Sequence, residues 1–129
     1  MSDDRTAIEA ALAPYFEGFY EADVNKLKAI FHPACHLYSA PGDDLQDFDM
    51  ETVYGRVRGR AKPAERGDPE EHEIISIDQA GPKCASAKVM ICLGDNRYTD
   101  YLTLLKLDGR WQIVGKTFTG VNRPEVDPL

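Results

Sequence analysis

Residues Tyr98 to Phe118 read YTDYLTLLKLDGRWQIVGKTF. Two long runs rich in Tyr, Thr, Leu, Ile and Val flank the turn dipeptide Asp108-Gly109, a pattern that predicts a β-hairpin of two long strands. Both strands carry apolar residues on both faces, whereas a strand with one wet face alternates strictly. Something therefore covers each side of this hairpin, with helices on one face and a second subunit on the other as the candidates.

Turn length decides which residues of the hairpin share a face. A two-residue loop at Asp108-Gly109 sets Tyr101 opposite Lys116 and puts Asp100 on the other side of the sheet. A three-residue loop, Leu107-Asp108-Gly109 with Gly109 left-handed in a bulge, sets Asp100 opposite Lys116. The second register is preferred, because it pairs an acid and an amine that would otherwise each be buried alone at a cost of several kcal/mol. It also places Tyr98, Leu102, Leu104, Val114 and Phe118 on the face of that pair and turns Trp111 and Ile113 away.

Upstream, Ile8, Leu12, Tyr15, Phe16 and Phe19 make one apolar stripe on a helix from about Thr6 to Glu21, capped by Asp3 or Asp4. Pro14 falls inside it and costs about 3 kcal/mol, but burial of three aromatic rings returns roughly 1.5–3 kcal/mol apiece. The helix is expected to persist with a kink between Ala10 and Pro14. Asp23 caps a short second helix carrying Val24, Leu27, Ile30 and Phe31, which Pro33 stops. His36–Ala40 reads as a first strand and Leu45–Asp49 as a short strand or a loop. Asp49 caps a third helix from Met50 to about Val57, with Met50, Val53, Tyr54 and Val57 inward. Arg58–Glu71 has two glycines, two prolines and no apolar period, so it reads as a surface loop. Strands follow at His72–Ala80, Cys84–Leu93 and from Tyr98 onward. The tail after Thr119, GVNRPEVDPL, is too polar and proline-rich for a strand.

The chain of 129 residues reads as a single domain, long enough to bury about two-thirds of its unfolded surface, roughly 14,000 Å². A formal charge of −7 and a pI near 4.9 argue against nucleic acid and anionic membrane as partners, since both demand a basic footprint. The N-terminal stretch lacks the basic start and apolar core of a secretory leader, and no run approaches twenty apolar residues, so a soluble cytoplasmic protein is expected. Cys35, Cys84 and Cys92 form no CxxC pair and leave one over, which fits a reducing compartment. The basic cluster Arg56, Arg58, Arg60, Lys62 and Arg66 reads either as a phosphate site or, with Glu65, Glu70 and Glu71 to balance it, as a solvated face.

Helices first and hairpin-connected strands afterwards is an α+β order. The pattern of Tyr15, Gly18 and Asp23, the run Phe31-His32-Pro33, and above all DYLTLLK followed by DGRWQIVGKTF resemble the nuclear transport factor 2-like superfamily. Within it the chain is similar to the branch called putative lumazine-binding, close to the SnoaL-like proteins. The resemblance implies a cone-shaped, curved antiparallel sheet of cystatin-like type with the N-terminal helices packed on its concave face. It implies a pocket between helices and sheet and a homodimer through the outer sheet face. The fold hosts isomerases, cyclases, dehydratases and pure binders, so it does not select an activity.

A small-molecule ligand is the expected partner. The pocket expected from inward aromatic positions draws on Tyr15, Phe19, Phe31, His32, Tyr38, Tyr54, Tyr98 and Phe118, with polar ends at Asp100 and Lys116. That pair is either a structural lock on the register or a functional group at the base of an apolar cavity. The alternative to a binder is an isomerase or dehydratase with His32 or Asp100 as acid or base. Ketosteroid isomerases of the superfamily use a helix-one tyrosine, a strand-one aspartate and a second acid. Tyr15 falls at the first position and Asp100 near the third, but Tyr38 or Ser39 holds the second, which argues against that reaction. His32 and His36 stand four apart across Pro33, so they do not share a helical face, and neither a metal nor a cofactor is expected.

Overall fold

The computed structural model describes residues 4–122. Three helices, α1 (Arg5–Glu21), α2 (Val24–Lys28) and α3 (Met50–Gly59), accompany six strands: β1 (His36–Ser39), β2 (Gln46–Asp49), β3 (Glu71–Ala80), β4 (Cys84–Leu93), β5 (Asn96–Leu107) and β6 (Arg110–Asn122). The strands form one curved, unclosed sheet in the order β2-β1-β6-β5-β4-β3. All neighbours run antiparallel except β1 and β6, which are parallel. The expected α+β architecture, with N-terminal helices on the concave face, is the one the chain adopts. Among the described residues no helix is long and apolar enough to cross a membrane.

The stripe of α1 is the reason it lies on the sheet. Ile8, Leu12, Tyr15, Phe16 and Phe19 are all buried, and the helix runs through Pro14 because those contacts outweigh one lost backbone bond. The Tyr15 ring meets Phe16 and Phe19 edge-on, with centroids 5.4 and 5.1 Å apart. Capping by Asp4 does not occur: its carboxylate instead accepts from Gln79 Nε2 at 3.4 Å and lies 3.9 Å from Lys106 Nζ. Asp3, the other expected cap, lies outside the described residues. Asp23 does cap α2, accepting from the amides of Asn25 and Lys26.

Gly18 lets these two helices meet. A Cβ there would stand 2.6 Å from Leu27 Cδ2 and 3.2 Å from the Leu27 amide nitrogen. Gly18→Ala is therefore expected to destabilise the chain by about 1–3 kcal/mol through overpacking, despite the better helix propensity of alanine. A urea midpoint unchanged or raised would contradict the close approach.

α2 ends at Lys28 rather than running on to Pro33, because the next residues bond to the sheet. The Ile113 amide donates to the Ile30 carbonyl at 2.8 Å and the His32 amide to the Ile113 carbonyl at 2.9 Å. Asp49 accepts from the Thr52 amide at 2.9 Å and caps α3, which extends two residues past the expected Val57.

The central hairpin departs from its expected register. Leu107 pairs with Arg110, so the loop is the two-residue Asp108-Gly109, with φ of 50° and 76°. Both values are positive, as a primed hairpin turn requires. The extra residue lies farther along: Leu104 pairs with Ile113 and Thr103 with Gly115, which leaves Val114 as a β-bulge. Beyond it Leu102 opposes Lys116 and Asp100 opposes Phe118. A bulge within the strand restores the parity that the turn alone would have lost, so Asp100 and Lys116 share the inner face as diagonal neighbours. The same bulge overturns the expectation for Trp111 and Ile113, which precede it and point inward, both buried in the core.

β6 also runs three residues further than its composition suggests. Gly120, Val121 and Asn122 pair with Tyr98, Arg97 and Asn96. Main-chain pairing to a long partner strand requires no apolar side chains, and Gly120 is needed where a Cβ would come within 2.6 Å of the Tyr98 ring. The rest of the tail lies outside the described residues. On the outer face Tyr101, Leu105 and Val121 are exposed.

Candidate functional site

Asp100 sits at the middle of β5 with no solvent exposure. Its Oδ2 accepts the Tyr15 hydroxyl from α1 and lies 3.5 Å from Lys116 Nζ on β6. No protein donor reaches its Oδ1. The Lys116 ammonium is boxed by rings, 4.8 Å from the Phe19 centroid and 5.1 Å from those of Tyr15 and Phe118. Such a cage holds a cation through the ring quadrupoles while excluding water.

Asp100 and Lys116 line a cavity of about 200 Å³ between helices and sheet. Its walls are apolar, with Phe19, Leu37, Phe48, Val53 and Ile91 among them, and Tyr98 and Phe118 stand beside the acid–amine pair. At the solvent side the exposed side chains of Gln46, Arg56 and Arg60 complete it. The Arg56 guanidinium lies over the Phe48 ring, 4.4 Å from its centroid. The arrangement is an apolar chamber with a charged, buried floor and a basic mouth.

Burial dominates the titration of the floor. It lowers Lys116, although the Asp100 carboxylate pulls in the opposite direction, and the positive charge of Arg60 adds to the lowering. Burial raises Tyr15 well above the usual phenol range, with the Asp100 charge and hydrogen bond adding to it. The Cys35 thiol is pushed up to about 12 by burial, against the opposing charge of Lys116. The Tyr54 phenol is likewise pushed up to about 12 by burial.

A pH dependence follows. Cys35, Tyr15 and Tyr54 keep their protons in the folded state above their ordinary values of 9.0 and 10.0. Their stabilisation is full below those values and is lost as pH rises toward the folded ones. Lys116 acts the other way, since its folded value lies below 10.5: its share is present above 10.5 and lost as pH falls through the folded value. Between about pH 8 and 10 the wild type is expected to lose stability relative to Cys35→Ala, read as unfolding midpoints. Parallel curves would contradict it.

The structure brings together Tyr15, Phe19, Tyr98, Asp100, Lys116 and Phe118, with Tyr15 beneath the floor rather than on the cavity wall. The other residues expected there stand elsewhere. Phe31 and Tyr54 line a separate depression with Arg58 and Arg110. Tyr38 pairs with Thr117 and so faces away from Leu37, which faces the chamber; its ring stacks on His36. His32 does not line the chamber, and its Nδ1 accepts from the Ala34 amide at 3.0 Å. The bonds that tie Ile30 and His32 to β6 hold that ring at the helix end. His36 meets Asp47 at 2.6 Å and His72 stacks on Phe16. Among the described residues no group of three His, Cys, Asp or Glu side chains could hold a metal ion.

Leu37, Gln46, Phe48, Ile91 and Leu93 are chamber residues that the sequence did not single out, and Arg56 and Arg60 were named only within the basic cluster. Val53 and Arg56 stand three apart on one face of α3, and Arg60 follows at its extended C-cap. That spacing was visible in the sequence but was masked by the larger basic cluster, whose members disperse: Arg66 bonds Asp68, and Arg58 and Lys62 line surface depressions.

An open cone of sheet and helices around an apolar chamber defines a nuclear transport factor 2-like domain. The family model described as putative lumazine-binding matches residues 3–119, and the chain belongs to that family. It is 25% identical over 122 residues to the aldolase FrzH of a Cladobotryum species, covering 91% of each chain. Among solved structures it is similar to an NTF2-like protein of unknown function from Shewanella baltica, with a TM-score of 0.82, 24% identity and coverage of 92% and 94% of the two chains. An NTF2-like protein of unknown function from Methylobacillus flagellatus gives a TM-score of 0.77 at 27% identity, covering 94% of each.

Proposed function

We propose that the chain binds a small organic molecule in the chamber floored by Asp100 and Lys116. The observation that carries this is Asp100, a residue of the chamber floor whose buried Oδ1 has no protein donor. Leaving such an atom unsatisfied costs about 1–3 kcal/mol or more, and a ligand hydroxyl or N–H directed at the floor offsets that cost. An apolar cavity of about 150 Å³ accommodates benzene, so about 200 Å³ suits a ligand built on one ring. Arg56 and Arg60 at the mouth favour an acidic group on its outer end. The exposed Tyr101, Leu105 and Val121 support a homodimer through the outer sheet face, and a sequence without a CxxC motif supports a reducing, cytoplasmic setting.

4-Hydroxybenzoate is a suitable probe, with its phenol toward Asp100 and its carboxylate toward the arginines. It is expected to raise the melting temperature by a few degrees through mass action, and Arg56→Ala with Arg60→Ala should abolish the rise. If no ring-sized fragment, acidic or neutral, shifts the protein and native mass spectrometry shows only the bare chain, the reading fails.

A second reading, acid–base catalysis in the same chamber, is favoured by the similarity to an aldolase. Asp100 would take a proton beside a carbonyl, with Lys116 to stabilise charge and Tyr15 to hold the carboxylate from beneath. An isomerase or a dehydratase would use the same trio.

A further inference from the structure

Lys116 stands apart from every other lysine of the chain. Lys26, Lys28, Lys62, Lys83, Lys88 and Lys106 are exposed or half-buried, whereas Lys116 is buried and lines the chamber. Its Nζ is held by three rings and one carboxylate. We propose that Lys116 is a carbonyl-capturing amine, whose Nζ condenses with an aldehyde or ketone entering the chamber to form a Schiff base. The inference rests on the reading that the chamber binds small molecules.

The chemistry balances without a co-reactant. The ammonium gives one proton to the Asp100 carboxylate, and the neutral amine attacks the carbonyl carbon to form a carbinolamine. Asp100 returns that proton to the carbinolamine hydroxyl, which leaves as water and gives a protonated imine, so ammonium plus carbonyl gives iminium plus water and Asp100 is again a carboxylate. Asp100 then accepts a proton from the carbon beside the iminium, and the enamine formed is a carbon nucleophile or the intermediate of an isomerisation. Nothing is oxidised or reduced.

Desolvation in an apolar pocket and a nearby cation are the two environments that make lysine a nucleophile near neutral pH. Both are present: burial lowers Lys116 and Arg60 contributes to the lowering. The groups that act on this amine are Asp100 from β5, Tyr15 from α1, Cys35 before β1 and Arg60 after α3. Of these Asp100 is the proton acceptor in contact, while the raised Tyr15 hydroxyl remains a donor that keeps the carboxylate in place.

The test is reductive trapping of the wild-type protein with 4-hydroxybenzaldehyde and cyanoborohydride at neutral pH, read by peptide mass spectrometry. Lys116 is expected to be modified about tenfold or more faster than any surface lysine, and 4-hydroxybenzoate should slow its labelling while leaving the others unchanged. Lys116→Met should remove the fast adduct. Because that variant alters the core, the competition on the wild type gives an independent reading. Modification spread evenly over surface lysines overturns the proposal. If 4-hydroxybenzaldehyde raises the melting temperature without fast labelling, the lysine assignment falls and the binding chamber stands. If it does neither, the lysine assignment falls, and the melting shift with 4-hydroxybenzoate decides the chamber separately.

Discussion

Asp100→Asn is expected to cost about 3–5 kcal/mol of folding stability at neutral pH, the usual penalty for stripping one partner from a buried ion pair. Asparagine has nearly the same shape and still accepts the Tyr15 hydroxyl, so the loss measures charge rather than volume. It leaves the Lys116 ammonium in a chamber of rings, with its side chain only 7% exposed. The deficit should shrink as pH rises toward the ordinary lysine value of 10.5, because without Asp100 burial dominates the amine and the neutral form fits the site. Urea titrations of the variant at neutral and alkaline pH give both quantities. A penalty below about 1 kcal/mol at neutral pH would show that Lys116 is not held as a buried cation by Asp100.

Replacing the whole floor should have the opposite sign. Tyr15→Phe, Asp100→Leu and Lys116→Met together are expected to leave stability unchanged or raise it by about 1–4 kcal/mol, since apolar groups of similar volume need no compensation for lost hydration. The flanking Val89, Leu102 and Leu104 are fully or almost fully buried already, so an apolar floor continues the existing core. The same triple variant should lose the melting shift with 4-hydroxybenzoate. Stability gained with binding lost would mean that the polar floor is kept for its chemistry. A loss of more than about 2 kcal/mol would mean that it specifies the fold instead.

Much of the architecture was legible because local pattern and tertiary role agree. The stripe from Ile8 to Phe19, the caps at Asp23 and Asp49 and the strand pairs on either side of Gly81 and Gly94 each carry a signal within a few residues. Where the reading failed, the deciding contact was distant in sequence. Asp4 leaves the end of α1 for Gln79 and Lys106, and α2 ends early because Ile30 and His32 bond to Ile113. His32, Tyr38 and Tyr54 carry residue types suited to a pocket, but the strand and helix faces that hold them look elsewhere. Arg56 and Arg60 stayed undistinguished within their cluster because a charge run says nothing about which members lean over a cavity.

The Tyr98–Phe118 hairpin shows where the boundary falls. Its composition determined that two long strands meet at Asp108-Gly109, and the cost of burying a lone charge favoured an acid and an amine on one face. The turn itself has two residues, and local sequence cannot say that Val114 is the residue left over. That depends on how β6 is bonded at once to β5, to β1 and to the segment around Ile30. The sequence by itself determined the α+β class, which follows from periodicity, and it favoured opposite charges on one face through the cost of burying a lone charge. Only the tertiary structure decided which side chains enclose the chamber, because a bulge and a parallel partner strand reset the faces residue by residue.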